Sequence, residues 1–288
     1  MILKEYKDAA SFLNDYERVM LQREAVSQNI LYHAYHRRAL RTQDKEYFGA
    51  VLEEKDTILL FCIDSNQCLL IYTIQCEGML EASSYLADNL GNKNVLVQSI
   101  NAKEEICHRF IDQYRKHIPC TSSPRLEMDI MELRNVNEVT PIEGNQRLAL
   151  NIEIKILTDW MIRYLIETFA NETDYEEILS KATDFVSREK VYLFENKEHV
   201  VVSMAIVARE LSRGSAIMYV FTPEKHRGKG YAAANVYYLC KKLMAEGNEF
   251  CTLFVERKNP LDARVYEKIG FHVLEDSCEY ALFHKRAE

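Results

Sequence analysis

Met218-Tyr219-Val220-Phe221 is an apolar strand segment that leads through Thr222-Pro223-Glu224 into Lys225-His226-Arg227-Gly228-Lys229-Gly230 and then Tyr231-Ala232. Three cations and two glycines one residue apart therefore stand where a strand gives way to a helix. Glycines at 228 and 230 let backbone approach an anion closely, and the exposed N–H groups at the positive end of the following helix can hold a pyrophosphate. Arg227 and Lys229 would add charge-assisted bonds. A strand-turn-helix junction also uses glycine for purely conformational reasons, so this turn alone leaves both readings open. It is neither a P-loop nor a Rossmann turn: no Gly-Lys-Ser/Thr closes it, and no acidic residue ends a following strand in the Rossmann fashion.

The elements that position this turn are legible from periodicity. Ala232, Ala233, Val236, Leu239, Cys240 and Leu243 give the helix behind it an apolar face. Around it the pattern predicts helices at 157–169 and 175–188, strands at 147–153, 190–195, 199–208, 215–221 and 249–256, a short helix at 261–269 and a final strand pair. The N-terminal half predicts helices at 5–21 and 23–42, strands at 47–52, 57–63 and 67–74, a helix at 78–90, a strand at 94–99 and a helix at 103–116. The alternating Leu126, Met128, Ile130, Met131 and Leu133 read as a strand closing that half. Both halves share a helix, helix, strand, strand, strand order, and mixed strands with flanking helices imply an α+β, mixed α/β layer architecture.

The turn resembles the hallmark of the GNAT acetyltransferase superfamily, Gln/Arg-x-x-Gly-x-Gly/Ala. It is matched here at Lys225-His226-Arg227-Gly228-Lys229-Gly230, with lysine departing at the first position. A second block, Asn259-Pro260, Ala263, Tyr266 and Gly270-Phe271, is similar to the family's segment in which an asparagine and a tyrosine flank the CoA arm. The resemblance covers residues 145 to 288. More loosely, the whole chain is similar to bacterial two-domain proteins in which a degenerate GNAT-like domain precedes an active one.

The resemblance implies an acetyl-CoA-dependent N-acetyltransferase acting on a primary amine. Such chemistry needs a polarised carbonyl, a deprotonated amine and a proton for the leaving thiolate. The strand ending at Tyr219, Val220 and Phe221 would give N–H groups to the acetyl carbonyl and the pantetheine amides. By resemblance, Tyr266 would protonate the thiolate and Asn259 would bond the cofactor arm. No carboxylate lies on the strand 215–221, so Glu256, at the end of the next strand, is the candidate general base, with water as the alternative. The competing reading is a CoA-binding sensor or interaction protein without turnover.

Bulk features agree with that setting. A chain of 288 residues fits two compact units, here expected at 1–140, a substrate-shaping or scaffold domain, and 141–288, the acetyl-CoA-binding domain. The N-terminal half has no paired-glycine turn and is expected to carry no active centre. The formal charge of −8 disfavours nucleic acid, and leaves a small-molecule amine or a peptide as acceptor; a homodimer stays open. No apolar run approaches the roughly 20 residues that span a bilayer, and no signal peptide is evident, so a cytoplasmic protein is expected. The eight cysteines never fall at C-x-x-C spacing and read as reduced core thiols. His33 and His36 lack a third ligand at motif spacing, Ser203 and Cys251 lack triad neighbours, and no metal is expected.

Overall fold

The computed structural model describes residues 1–40, 47–75, 77–139, 142–169, 173–258 and 260–284. The chain divides into two compact units, Met1–Asp129 with Glu275–Glu288, and Ile130–Leu274. The first division falls inside a strand near the expected junction. The return of the last residues to the first unit was not expected.

The first unit opens with β1 (Ile2–Tyr6), where a helix from residue 5 was expected. The helix α1 (Ala9–Gln22) starts only after Asp8, whose Oδ1 accepts the Ser11 N–H at 2.7 Å and caps it. There follow α2 (Glu24–Leu40), β2 (Tyr47–Glu53), β3 (Asp56–Ile63), β4 (Cys68–Thr73), α3 (Met79–Asn92), β5 (Ser99–Ala102), α4 (Glu104–Tyr114) and β6 (Cys120–Leu133). The strand expected at 94–99 is instead a turn leading into β5. Strand order in this unit is β1-β2-β3-β4-β5-β12-β6, where β12 is the chain's last strand, His272–His284. Period-two alternation sorts β3 between two cores. Leu59, Phe61 and Ile63 pack with α3 and α4, while Leu60 and Cys62 pack with α1 and α2.

The final strand pair of the sequence reading is one 13-residue strand. Its Cys278–Ala281 stretch pairs antiparallel with β5, Cys278 opposite Ala102 and Ala281 opposite Ser99. Cys278, Tyr280 and Leu282 then complete the core against α3 and α4. Strand β5 is only four residues long, and pairing it on both sides removes an unsatisfied edge.

The second unit continues from the end of β6 through β7 (Gly144–Leu148), α5 (Ile154–Phe169), α6 (Tyr175–Ser187), β8 (Val191–Asn196), β9 (Val201–Glu210), β10 (Gly214–Phe221), α7 (Tyr231–Ala245), β11 (Phe250–Glu256) and α8 (Pro260–Ile269). Its strand order is β6-β11-β10-β9-β8-β7. A strand at 147–153 was expected, but β7 ends at Leu148 and a single 3-10 turn covers Asn151–Glu153. Arg147 imposes the break. It bonds both Glu153 oxygens at 2.8 Å and Glu195 at 2.7 Å, and the Leu150 N–H donates to Glu153 at 2.8 Å. On one face of this sheet Leu157, Trp160 and Met161 of α5 and Ile178, Ala182 and Val186 of α6 meet β8, β9 and β10. On the other, Val236, Leu239, Cys240 and Leu243 of α7 pack on Ile217, Cys251 and Leu253.

Candidate active site

Strands β10 and β11 are parallel neighbours, yet their register covers only Gly214–Phe250, Ser215–Cys251 and Ala216–Thr252. Beyond these pairs the strands continue to Phe221 and Glu256 without further pairing among the described residues. Backbone N–H and C=O groups on that edge of β10 therefore have no strand partner beyond Ala216, and buried or ligand-facing groups of this kind require partners.

On its other side β10 carries a bulge. Met218 pairs with Ile206, and the next pair is Phe221 with Met204, so three steps on β10 span two on β9. Tyr219, within the bulge, has φ +52°, a left-handed conformation uncommon for a bulky side chain. The alternation of the strand is reset: Ile217 lies in the α7-side core, Met218, Tyr219 and Phe221 on the α5/α6 side, and Val220 on the α7 side. Two successive side chains thus share a face, and the peptide groups around Tyr219 are turned out of the regular ladder. Tyr219 packs on Tyr164 at 5.2 Å and Phe185 at 6.2 Å between ring centroids, and its burial raises the phenol pKa.

The turn follows directly. Glu224–His226 form one 3-10 turn, in which the His226 N–H donates to Pro223 O at 2.8 Å and the Arg227 N–H to Glu224 O at 3.1 Å. Gly228 (φ +73°) and Gly230 (φ +81°) then pass through the left-handed region, and Gly230 is the N-cap of α7. A Cβ on Gly228 would meet nothing within 4 Å, so conformation alone calls for glycine there. One on Gly230 would come within 2.6 Å of the Ile142 side chain. The first helical N–H satisfied in α7 is that of Ala234, donating to Gly230 O at 3.0 Å. The preceding N–H groups, including those of Tyr231 and Ala232, are the unsatisfied donors of a helix start. No side chain caps that start and no acidic residue lies in its first turn. Lys225 and Lys229 are exposed on the same turn. Burial first, and Lys225 and Lys229 second, push the His226 ring pKa down from its ordinary value. Its Nε2 is buried without a hydrogen-bond partner.

Arg227 does not point freely. Its Nε donates to Thr222 O at 2.8 Å, and its Nη2 reaches both Glu167 oxygens at 3.0 and 2.7 Å, with the guanidinium 5.6 Å from the Phe221 ring. Gln/Arg-x-x-Gly-x-Gly/Ala also fits two residues later, from Arg227 through Gly230 to Ala232. The observed N-cap favours that frame, because the first glycine of the pattern becomes the residue that starts α7, and no exception at the first position is needed.

Glu256 ends β11 and is partly exposed. Tyr266 lies on α8, partly buried, its ring 6.0 Å edge-on to Phe271. The turn after it closes on the same residue: the Gly270 and Phe271 N–H groups donate to Tyr266 O at 3.2 and 3.1 Å. Gly270 takes φ +121°, and a Cβ there would sit 2.4 Å from Asn135 O. Asn259 falls outside the described residues. Ser203, set aside from sequence, is fully buried with an unpartnered Oγ, and His33 and His36 lie on α2 around the Tyr32 ring. Among the described residues one trio, Glu104, Asp276 and Cys278 of the first unit, brings three metal-type donors together. There Asp276 already accepts the Glu104 N–H at 2.6 Å.

Residues 199–281, from the turn between β8 and β9 into the last strand, match the family model described as FR47-like protein. The fold extends over the whole chain in solved structures. A GNAT-family acetyltransferase from Colwellia psychrerythraea is 11% identical, with 98% of this chain and 100% of that one covered at a TM-score of 0.56. A GCN5-related N-acetyltransferase from Sphaerobacter thermophilus is 13% identical, with 100% and 97% covered at 0.59. A Drosophila protein is 10% identical, with 99% of each chain covered at 0.63. No curated protein matches the sequence. The whole chain thus shares the fold of these solved structures, and residues 199–281 resemble the FR47-like family. No helix among the described residues is long and apolar enough to cross a membrane.

Proposed function

We propose that the second unit binds acetyl-CoA and transfers its acetyl group to the primary amine of a small molecule or peptide. The observation that carries this reading is the conjunction at the end of β10: a strand that parts from its parallel neighbour, a bulge at Tyr219, and a helix started by a left-handed glycine among cations. Cofactor amides would bond the open edge of β10, and the pyrophosphate would sit on the N–H groups from Gly228 to Ala232 with Lys225 and Lys229 beside it. N–H groups near the bulge would polarise the acetyl carbonyl as it takes up the amine. The amine nitrogen forms the new C–N bond and loses a proton to water or to Glu256. The C–S bond breaks, and Tyr266 protonates the departing thiolate. Asn259 would hold the cofactor arm.

A second reading, CoA binding without turnover, is favoured by one observation: β10, Gly214–Phe221, carries no carboxylate. Thiol release from acetyl-CoA, followed against a panel of polyamines, amino acids, aminoglycosides and peptides, separates the two. Amine-dependent release supports transfer. Cofactor binding with no release for any amine supports the second reading.

A further inference from the structure

Arg227 directly precedes the first of the paired glycines, and its guanidinium is occupied from within the unit. Glu167, on the last turn of α5, accepts from its Nη2 through both carboxylate oxygens at 2.7 and 3.0 Å, and a phosphate is the other oxyanion that a guanidinium binds by such charge-assisted bonds. Both side chains are nearly half exposed, 44% for Arg227 and 49% for Glu167, so an incoming anion can reach the pair from solvent. Thr222 O fixes Nε from below at 2.8 Å, which leaves the outer end of the guanidinium as the part able to change partner. Nη1 has no hydrogen-bond partner among the described residues.

We propose that Glu167 is an internal competitor for the anion site: it holds Arg227 while the turn is empty and gives it up to the pyrophosphate when the cofactor binds. The inference rests on the turn being the CoA cradle and adds a residue outside the turn to it. Two consequences follow. Cofactor affinity is set partly by a carboxylate on α5, and cofactor binding releases that carboxylate as a free negative charge beside the end of β10, where a cationic acceptor would meet it only after the cofactor. An exposed ion pair is weak, so the competition is a modest adjustment of affinity and not an all-or-none lock.

Titration calorimetry with CoA on the full chain tests this with Glu167→Gln, Arg227→Gln and the double variant. Glu167→Gln is expected to bind CoA about two- to five-fold more tightly than the native chain, Arg227→Gln more weakly, and the double variant no more tightly than Arg227→Gln alone. Unchanged or weakened binding by Glu167→Gln overturns the proposal. So does an equal gain from Glu167→Gln in the Arg227→Gln background, which would mark a diffuse charge effect instead of competition for one guanidinium. No CoA binding by the native chain would remove the cradle itself, and this inference with it.

Discussion

Gly78 and Gly230 occupy the same backbone state at the same step of two strand-turn-helix passages. Each is the N-cap of a helix without a side-chain cap, at φ +75° and ψ +1° for Gly78 and φ +81° and ψ +8° for Gly230. The strand before each, β4 or β10, makes only three parallel pairs with its neighbour, Cys68–Leu70 with Ser99–Asn101 and Gly214–Ala216 with Phe250–Thr252. The passages differ in charge. Lys225, Arg227 and Lys229 precede the second helix. Glu77 precedes the first, Glu81 lies in its opening turn, and Glu53 Oε2 stands 3.5 Å from where a Gly78 Cβ would be. Carboxylates at a helix start satisfy its positive end and repel a phosphate.

The two turn glycines should respond differently to substitution. A non-glycine residue in the left-handed region costs about 1–2 kcal/mol. Gly228→Val meets only that strain, since nothing lies near its Cβ, and should stay folded while binding CoA more weakly. Gly230→Val adds the Ile142 clash and should also lower Tm. Undiminished CoA affinity in a folded Gly228→Val protein would remove the turn from the binding site.

Tyr266→Phe keeps the ring against Phe271 and deletes only the hydroxyl. Turnover should fall by roughly 10²-fold or more, the scale of a positioned proton donor, with CoA affinity unchanged. Full turnover would leave Tyr266 as a packing residue.

The Arg147 network should show acid-dependent stability. The bond from Arg147, ahead of the Leu150 N–H, holds the Glu153 carboxyl below its ordinary pKa of 4.5. A carboxylate so lowered stabilises the fold fully above its unfolded pKa, and the contribution is lost as pH falls through the folded value. Arg147→Met should therefore cost about 1–3 kcal/mol at pH 7, and its Tm deficit should narrow below pH 4. A deficit constant across that range would contradict the linkage.

Much of this was legible in the sequence because it is local. The turn Lys225–Gly230 and its helix announce themselves by glycine, charge and 3.6-residue periodicity, and all three hairpin strands of each half lie near their expected bounds. What escaped depends on partners distant in sequence. The reset of alternation at Tyr219 is decided by the register with β9, and the apolar run Ile217–Phe221 carries no mark of it. The end of β7 at Leu148 is set by Arg147 reaching Glu195, 48 residues away. The return of Glu275–His284 to the first unit fills the open side of β5, which nothing in that segment's own composition announces. Glu167 was missed for the same reason: it becomes relevant only when α5 lies beside the turn.

We propose that one anion cradle, at Gly228–Ala232, serves the whole chain. Calorimetric titration of the full-length protein with acetyl-CoA tests it most directly, with Gly230→Val run in parallel. One site per chain, lost or strongly weakened in the folded fraction of the variant, is the predicted result; two equivalent sites, or no heat of binding in the native protein, would contradict it.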